Sequence, residues 1–129
     1  ILVDVTVPLM PPKVDYVHLP PGGAAGLEAQ EILGPDVRVV SAFQNISAAH
    51  LRDLDRDIDC DVLICGNDTM ACEEVITLVE AAGMSGLHAG SLVNAIAIES
   101  LTPVLISLNK HYRIKDAGIR VTGISRSEK

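Results

Sequence analysis

Apolar and polar positions follow two periods along this chain. Short β-branched runs alternate with stretches in which apolar residues recur every three to four positions. Ile1–Val7 is a run of the first kind, closed by Pro8, and predicts a buried strand. Five of the seven prolines fall between Pro8 and Pro21, so residues 9–23 read as an irregular loop. Residues 24–33 predict a helix stopped by Gly34 and Pro35. Val37–Phe43 predicts a second strand, Ser47 the cap of a short helix reaching about Leu54, and Asp61–Cys65 a third strand ended by Gly66-Asn67-Asp68. Thr69–Ala82 carries the clearest helical stripe, with Cys72, Val75, Ile76 and Val79 on one face and Glu73, Glu74, Thr77 and Glu80 on the other. Leu87–Gly90 is a brief extended piece. The stripe Val93, Ile96, Ala97, Leu101, Val104, Leu108 predicts a long last helix, Leu92–Tyr112, kinked at Pro103. Ile119–Val121 is a candidate final strand, and Ser125–Lys129 a frayed tail.

Three strands separated by helix-bearing spacers predict an α/β fold built on a parallel sheet with crossover helices. The long last helix departs from the alternation and predicts a small second lobe or a subunit contact. Composition supports this layering. Of 129 residues 48% are hydrophobic but only 2% aromatic, with no Trp, so the core must be built from Val, Ile, Leu and Ala, which suits a buried sheet covered by helices. The net charge of −7 repels phosphate backbones and argues against a nucleic-acid partner. No basic amphipathic stretch points to a membrane surface. The apolar run 91–109 is interrupted by Glu99 and Pro103 and reads as a core helix. Cys60, Cys65 and Cys72 have no metal-site spacing and fit a reducing cytoplasm as small buried hydrophobes. The opening Ile1-Leu2-Val3, without Met or leader and already in a strand, reads as the start of a fragment.

In open α/β sheets, ligands bind beyond the carboxyl ends of the strands. Those ends are expected at Thr6-Val7-Pro8, at Phe43–Ser47 and at Gly66-Asn67-Asp68. None pairs a nucleophile with a base. His18, His50, His88 and His111 are scattered, and no metal loop stands out among the aspartates of 53–61. Gly22-Gly23-Ala24-Ala25-Gly26 opens a helix but lacks the spacing of a dinucleotide loop, and Asn45-Ile46-Ser47 is a sequon without meaning in a cytoplasmic protein. Hydride transfer between two bound rings needs alignment and a dry pocket and no titrating side chain, which accords with strand ends of this kind.

Five segments, in order, resemble the NADPH-dependent coenzyme F420 reductases. They are Val40–Ala48 (VSAFQNISA), Asp59–Asp68 (DCDVLICGND), Ala89-Gly90-Ser91-Leu92, Glu99-Ser100-Leu101-Thr102-Pro103 and Asp116–Gly123 (DAGIRVTG), and the similarity runs from Ile1 to about Gly123. The resemblance implies a Rossmann-like sheet, with residues 1–83 the second half of an NADP-binding domain. Residues 84–129 would form a small helical C-terminal lobe that helps bind the deazaflavin and to dimerise. It implies NADP and coenzyme F420 as cofactors, a homodimer, and a G-x-G-x-x-G loop lying before Ile1, so that the chain alone would be inactive. By the same resemblance Asn45, Ile46, Ser47 and Ala48 lie beside the nicotinamide, and Val7 and Pro8 face the same pocket. Gln44, Leu63, Ser100, Ala117 and Gly118 would meet the deazaflavin. Some members carry Arg at the position of Ile96, and its loss here removes a donor to the second cofactor. Two rival readings are an NADP-dependent reductase of a small imine or keto acid, which would need a proton donor, and an inactive binding or dimerisation module.

Overall fold

Four strands, β1 (Leu2–Asp4), β2 (Val39–Ser41), β3 (Asp61–Gly66) and β4 (Ser85–His88), form one sheet in the order β1-β2-β3-β4 in a computed structural model that describes residues 1–125. The helices are α1 (Ala25–Leu33), α2 (Ala48–Arg52), α3 (Thr69–Ala81) and α4 (Ala95–Tyr112), the last preceded by a 3₁₀ turn at Leu92–Asn94. The fold is α/β, as the alternation of periods predicts. The expected tail falls, from residue 126 onward, outside the described residues.

Each element ends where local chemistry ends it. Gly34 closes α1 with φ of 80°, a conformation that costs glycine little. Asp68 caps α3, its carboxylate accepting from Ala71 N at 2.8 Å, and Gly83 follows the helix with φ of 86°. The helix α2 has five residues and no side-chain cap, because the Ser47 hydroxyl is used elsewhere.

The sheet buries both faces, as its lack of alternating polar residues foretells. On one face Val40, Val62 and Ile64 pack with Cys72, Val75 and Val79 of α3. On the other, Val39 and Cys65 pack with Ala24, Leu92, Ala95 and Ile98. The segment Leu92–Tyr112 is long and apolar enough, by composition alone, to cross a membrane, with a mean hydropathy of 1.5. Here its first half lies on the sheet, Pro103 sits within the helix and is buried, and Glu99 is buried too.

Two expectations are corrected. The three sequence-read strands are not mutually parallel: β1 pairs parallel with β2, and β3 parallel with β4, but β2 and β3 run antiparallel, with Val40 opposite Gly66 and Ser41 opposite Cys65. A parallel return needs a crossover, usually a helix packed across the sheet face. The 42–60 connection offers only α2, which has no buried residue, so the chain turns back and enters β3 at the end where β2 stops. Ile119–Val121 is not a strand. Ile119 O accepts from Asp61 N at 2.8 Å, but Val121 N donates to the Asp61 carboxylate at 2.7 Å, so a side chain replaces the next rung of the ladder.

Candidate functional site

The parallel pairing of β1 and β2 brings their carboxyl ends together, and a turn at 43–47 follows β2 there. Phe43 starts the turn with φ of 72°, uncommon for a bulky residue and held by its surroundings. Gln44 is buried, and its Nε2 donates to Asp4 O and to Ser41 Oγ, each at 2.8 Å, stitching the two strand ends. Its Oε1 is buried without a partner. Asn45, also buried, reaches the start of β3: Nδ2 donates to Asp61 O at 2.6 Å, while Oδ1 accepts from Leu63 N at 3.4 Å. From the other side Thr102 of α4 donates through Oγ1 to Gln44 O at 2.6 Å. The turn is thus tied to three strands and a helix.

Two hollows flank it. One is polar, about 250 Å³, and among its lining residues are Asn45, Ile46, Ser47, Ala117 and Gly118, so five of the sequence-read site residues meet there. The other is apolar, about 390 Å³, lined by Val5, Phe43, Ile46, Ala48, Leu51, Leu78 and Ala82. Val7 and Pro8 lie half-buried on the loop after β1, Leu63 packs on the sheet face against the α4 side, and Ser100 donates to Ile96 O of its own helix at 2.6 Å. None of these four lines either hollow, nor does Gln44.

Because β3 is antiparallel to β2, Gly66-Asn67-Asp68 does not join this end of the sheet, a further correction of the sequence reading. It sits by the start of β2, where Asn67 Oδ1 accepts from Leu92 N at 3.0 Å and Asp68 lies 4.0 Å from Arg38.

Sequence reasoning missed three groups. The first is Glu99, whose two carboxylate oxygens accept from Ala25 N at 2.7 Å and Gly26 N at 3.1 Å, capping α1 from α4. Burial raises its pKa, partly offset by those two N–H bonds, and the nearby Asp4 carboxylate raises it further. Its isolation in an apolar run was the available signal. The second is Asp116, which binds Ser47 Oγ at 2.7 Å and lies 3.0 Å from His50 Nε2, at charge-pair distance though off hydrogen-bond alignment. The Ser47 hydroxyl, then His50 and Arg56, hold its carboxyl below the usual range. The third is Cys60, which lies under Gly118. Burial pushes its thiol up, and that of Cys65 to about 11, so neither is a nucleophilic thiolate at neutral pH. Among the described residues no cluster of His, Cys, Asp and Glu is arranged to hold a metal.

The cleft therefore offers donors, acceptors and apolar walls, and no nucleophile–base pair stands out among the contacts described above. No profile of a known family matches the chain. Curated relatives do: the F420-dependent NADP reductase of Methanocaldococcus jannaschii is 41% identical over 96% of this chain and 57% of its own length. That of Methanothermobacter thermautotrophicus is 37% identical over 99% and 57%, and that of Methanothermobacter marburgensis 40% over 96% and 58%. The chain thus spans rather more than half the length of these relatives. A crystal structure from Arthrobacter sp. FB24, whose protein carries the provisional name F420-dependent NADP reductase, superposes with a TM-score of 0.77 at 28% identity, covering 94% of this chain and 56% of that one. A hypothetical protein from Sinorhizobium meliloti, 23% identical with a TM-score of 0.56 over 76% of this chain and 46% of its own, shares the fold alone. Over nearly its whole length, then, this chain is homologous to the C-terminal part of the F420-dependent NADP reductases.

Proposed function

We propose that the protein transfers a hydride between NADP(H) and the deazaflavin coenzyme F420, and that this chain supplies walls of the site where the two rings meet. The observation that carries the proposal is the turn 44–48. It belongs to a segment that resembles the reductases, it lies at the joint carboxyl end of β1 and β2, and a hollow opens on each of its sides. The polar hollow suits the heterocyclic edge of a ring, and the apolar hollow on the other side of the turn suits its face.

When bound, the deazaflavin supplies the ring carbon that exchanges hydride with the nicotinamide. The chain's own residues position and exclude water. Gln44, Asn45 and Thr102 lock the turn to strands and helix, so its backbone is preorganised before any ligand arrives. Asn45, Ser47, Ala117 and Gly118 wall the polar side, while Ile46 and Ala48 face the apolar hollow. Val7, Pro8, Leu63 and Ser100, expected at the cofactors from the resemblance, would reach them only from outside the two hollows. The Ile96 side chain packs beside Gly23 and with the apolar cluster, in keeping with a structural role. A homodimer is part of the same reading, built on the outward face of α4, and so is a cytoplasmic site of action.

The test is to mix the intact protein with NADPH and oxidised coenzyme F420 and follow loss of the deazaflavin absorbance. Bleaching that requires NADPH is expected. Consumption of NADPH by a small imine or 2-oxo acid, with the deazaflavin untouched, would give the site to the rival reductase reading.

A further inference from the structure

The segment after α4 is fastened to the rest of the molecule by polar ties. Ala117 N donates to Asn109 Oδ1 at 2.8 Å, Ile119 O and Val121 N both bind Asp61, and Arg120 pairs with Asp59. These ties seat the segment on α4 and on the start of β3. None of them joins it to the 45–47 turn. That task falls to Asp116, whose carboxylate bridges Ser47 Oγ of the turn and His50 Nε2 of α2. The backbone at Asp116 is left-handed, with φ of 59°, a conformation aspartate visits only at some cost and keeps where its surroundings impose it. The next two residues, Ala117 and Gly118, face Asn45, Ile46 and Ser47 across the polar hollow.

We infer that Asp116 is a positioning residue, a latch that sets the separation of the two walls of the polar hollow by clamping the 115–118 segment to the 45–47 turn. With the latch closed, Ala117 and Gly118 hold one wall at a fixed distance from Asn45. With it released, the segment keeps its anchors at Asn109 and Asp61 but loses the tie that faces the hollow. On the functional reading above, from which this inference extends, the wall that shifts on release, Ala117 and Gly118, is the one given to the deazaflavin, while the 45–47 wall beside the nicotinamide keeps its own ties to the strands and to α4. The carboxylate touches neither ring and transfers nothing.

The experiment uses the intact protein with Asp116→Ala, Asp116→Asn and Ser47→Ala, and reads two quantities. The first, taken without any coenzyme, is the rate of trypsin cleavage after Arg113, a bond whose two flanking residues none of the substitutions alters. The latch predicts about tenfold faster cleavage in Asp116→Ala, the equivalent of one lost charge-assisted tie, a smaller rise in Asp116→Asn, which still accepts from Ser47, and a rise in Ser47→Ala, which leaves the sequence around the cleaved bond unchanged. The second is the split of kinetic constants. KM for coenzyme F420 should rise about tenfold in Asp116→Ala, with KM for NADPH unchanged and partial recovery in Asp116→Asn. Cleavage at the wild-type rate in Asp116→Ala overturns the latch. Equal rises in both KM values also overturn it, because general loosening would act on both sites. If the wild type reduces no deazaflavin, the functional reading fails, and the cleavage arm alone still decides the latch.

Discussion

Glu99 is the single charged side chain between residues 91 and 109, and it spends both oxygens on the first N–H groups of α1. Replacing it by Ala leaves two such groups without a partner, one of them buried. The expected loss is about 3 kcal/mol of unfolding free energy, read by denaturant titration. Its raised pKa has a definite sign in pH. The folded form binds the proton more readily than the unfolded chain, so stability falls as pH rises from the ordinary glutamate range through the raised folded value, and levels off above it. Glu99→Gln should flatten that slope. Asp116 works in the opposite sense. Its lowered pKa means that its contribution is complete above the ordinary aspartate range and is lost as pH falls through the folded value, so the hydrogen-exchange protection of α2 should fall only on the acid side. Gly118 is the third residue with a measurable consequence. A Cβ there would sit 2.8 Å from Cys60 Sγ and 3.2 Å from Cys60 Cβ. Gly118→Ala should therefore cost about 1–3 kcal/mol, with part recovered when Cys60 is also made Ala.

Among the elements, α2 and α3 make a useful contrast. The helix α3 has its own cap and a buried stripe, and it would be read as a helix in many contexts. Asp68→Ala should cost it about 1 kcal/mol through the lost cap, the exposed Arg38 pair adding little. The helix α2, five residues without a cap or a buried side chain, is too short to persist alone. It is held from outside, by His50 against Asp116 and by the turn before it. Its amide protons should exchange faster than those of α3, and faster still in Asp116→Ala, as native-state hydrogen exchange would show.

At the scale of the whole molecule, the outward face of α4 is left uncovered. Val104, Leu108 and Tyr112 are 45%, 38% and 65% exposed, and Ile114 beyond the helix is half exposed. An apolar strip of this kind on a helix that is otherwise packed is where the proposed homodimer would bury its surface. Leu108→Arg should shift the intact protein to monomer in sedimentation velocity without changing its circular dichroism. A dimer that survives this substitution would place the interface elsewhere.

What the sequence determined by itself was local. The periods of Ile1–Val7, Thr69–Ala82 and Leu92–Tyr112 marked elements within a few residues of where they lie, because an apolar stripe or a β-branched run acts over a turn or a strand. The layering followed from the same pattern, since strands apolar on both sides need cover on both faces. The segments that carry the family likeness were also legible, and with them the turn at 44–48. Tertiary structure decided the rest. No pattern in Asp61–Gly66 states which way that strand runs, because a doubly buried strand looks alike in both directions. The antiparallel β2–β3 pairing moved Gly66-Asn67-Asp68 away from the cleft and brought Asp61 to it. The partners of Glu99 and Asp116 lie 73 and 69 residues away in the chain. Hydrogen bonds of that span depend on where α4 and the segment after it come to rest, and that is settled by packing on the sheet.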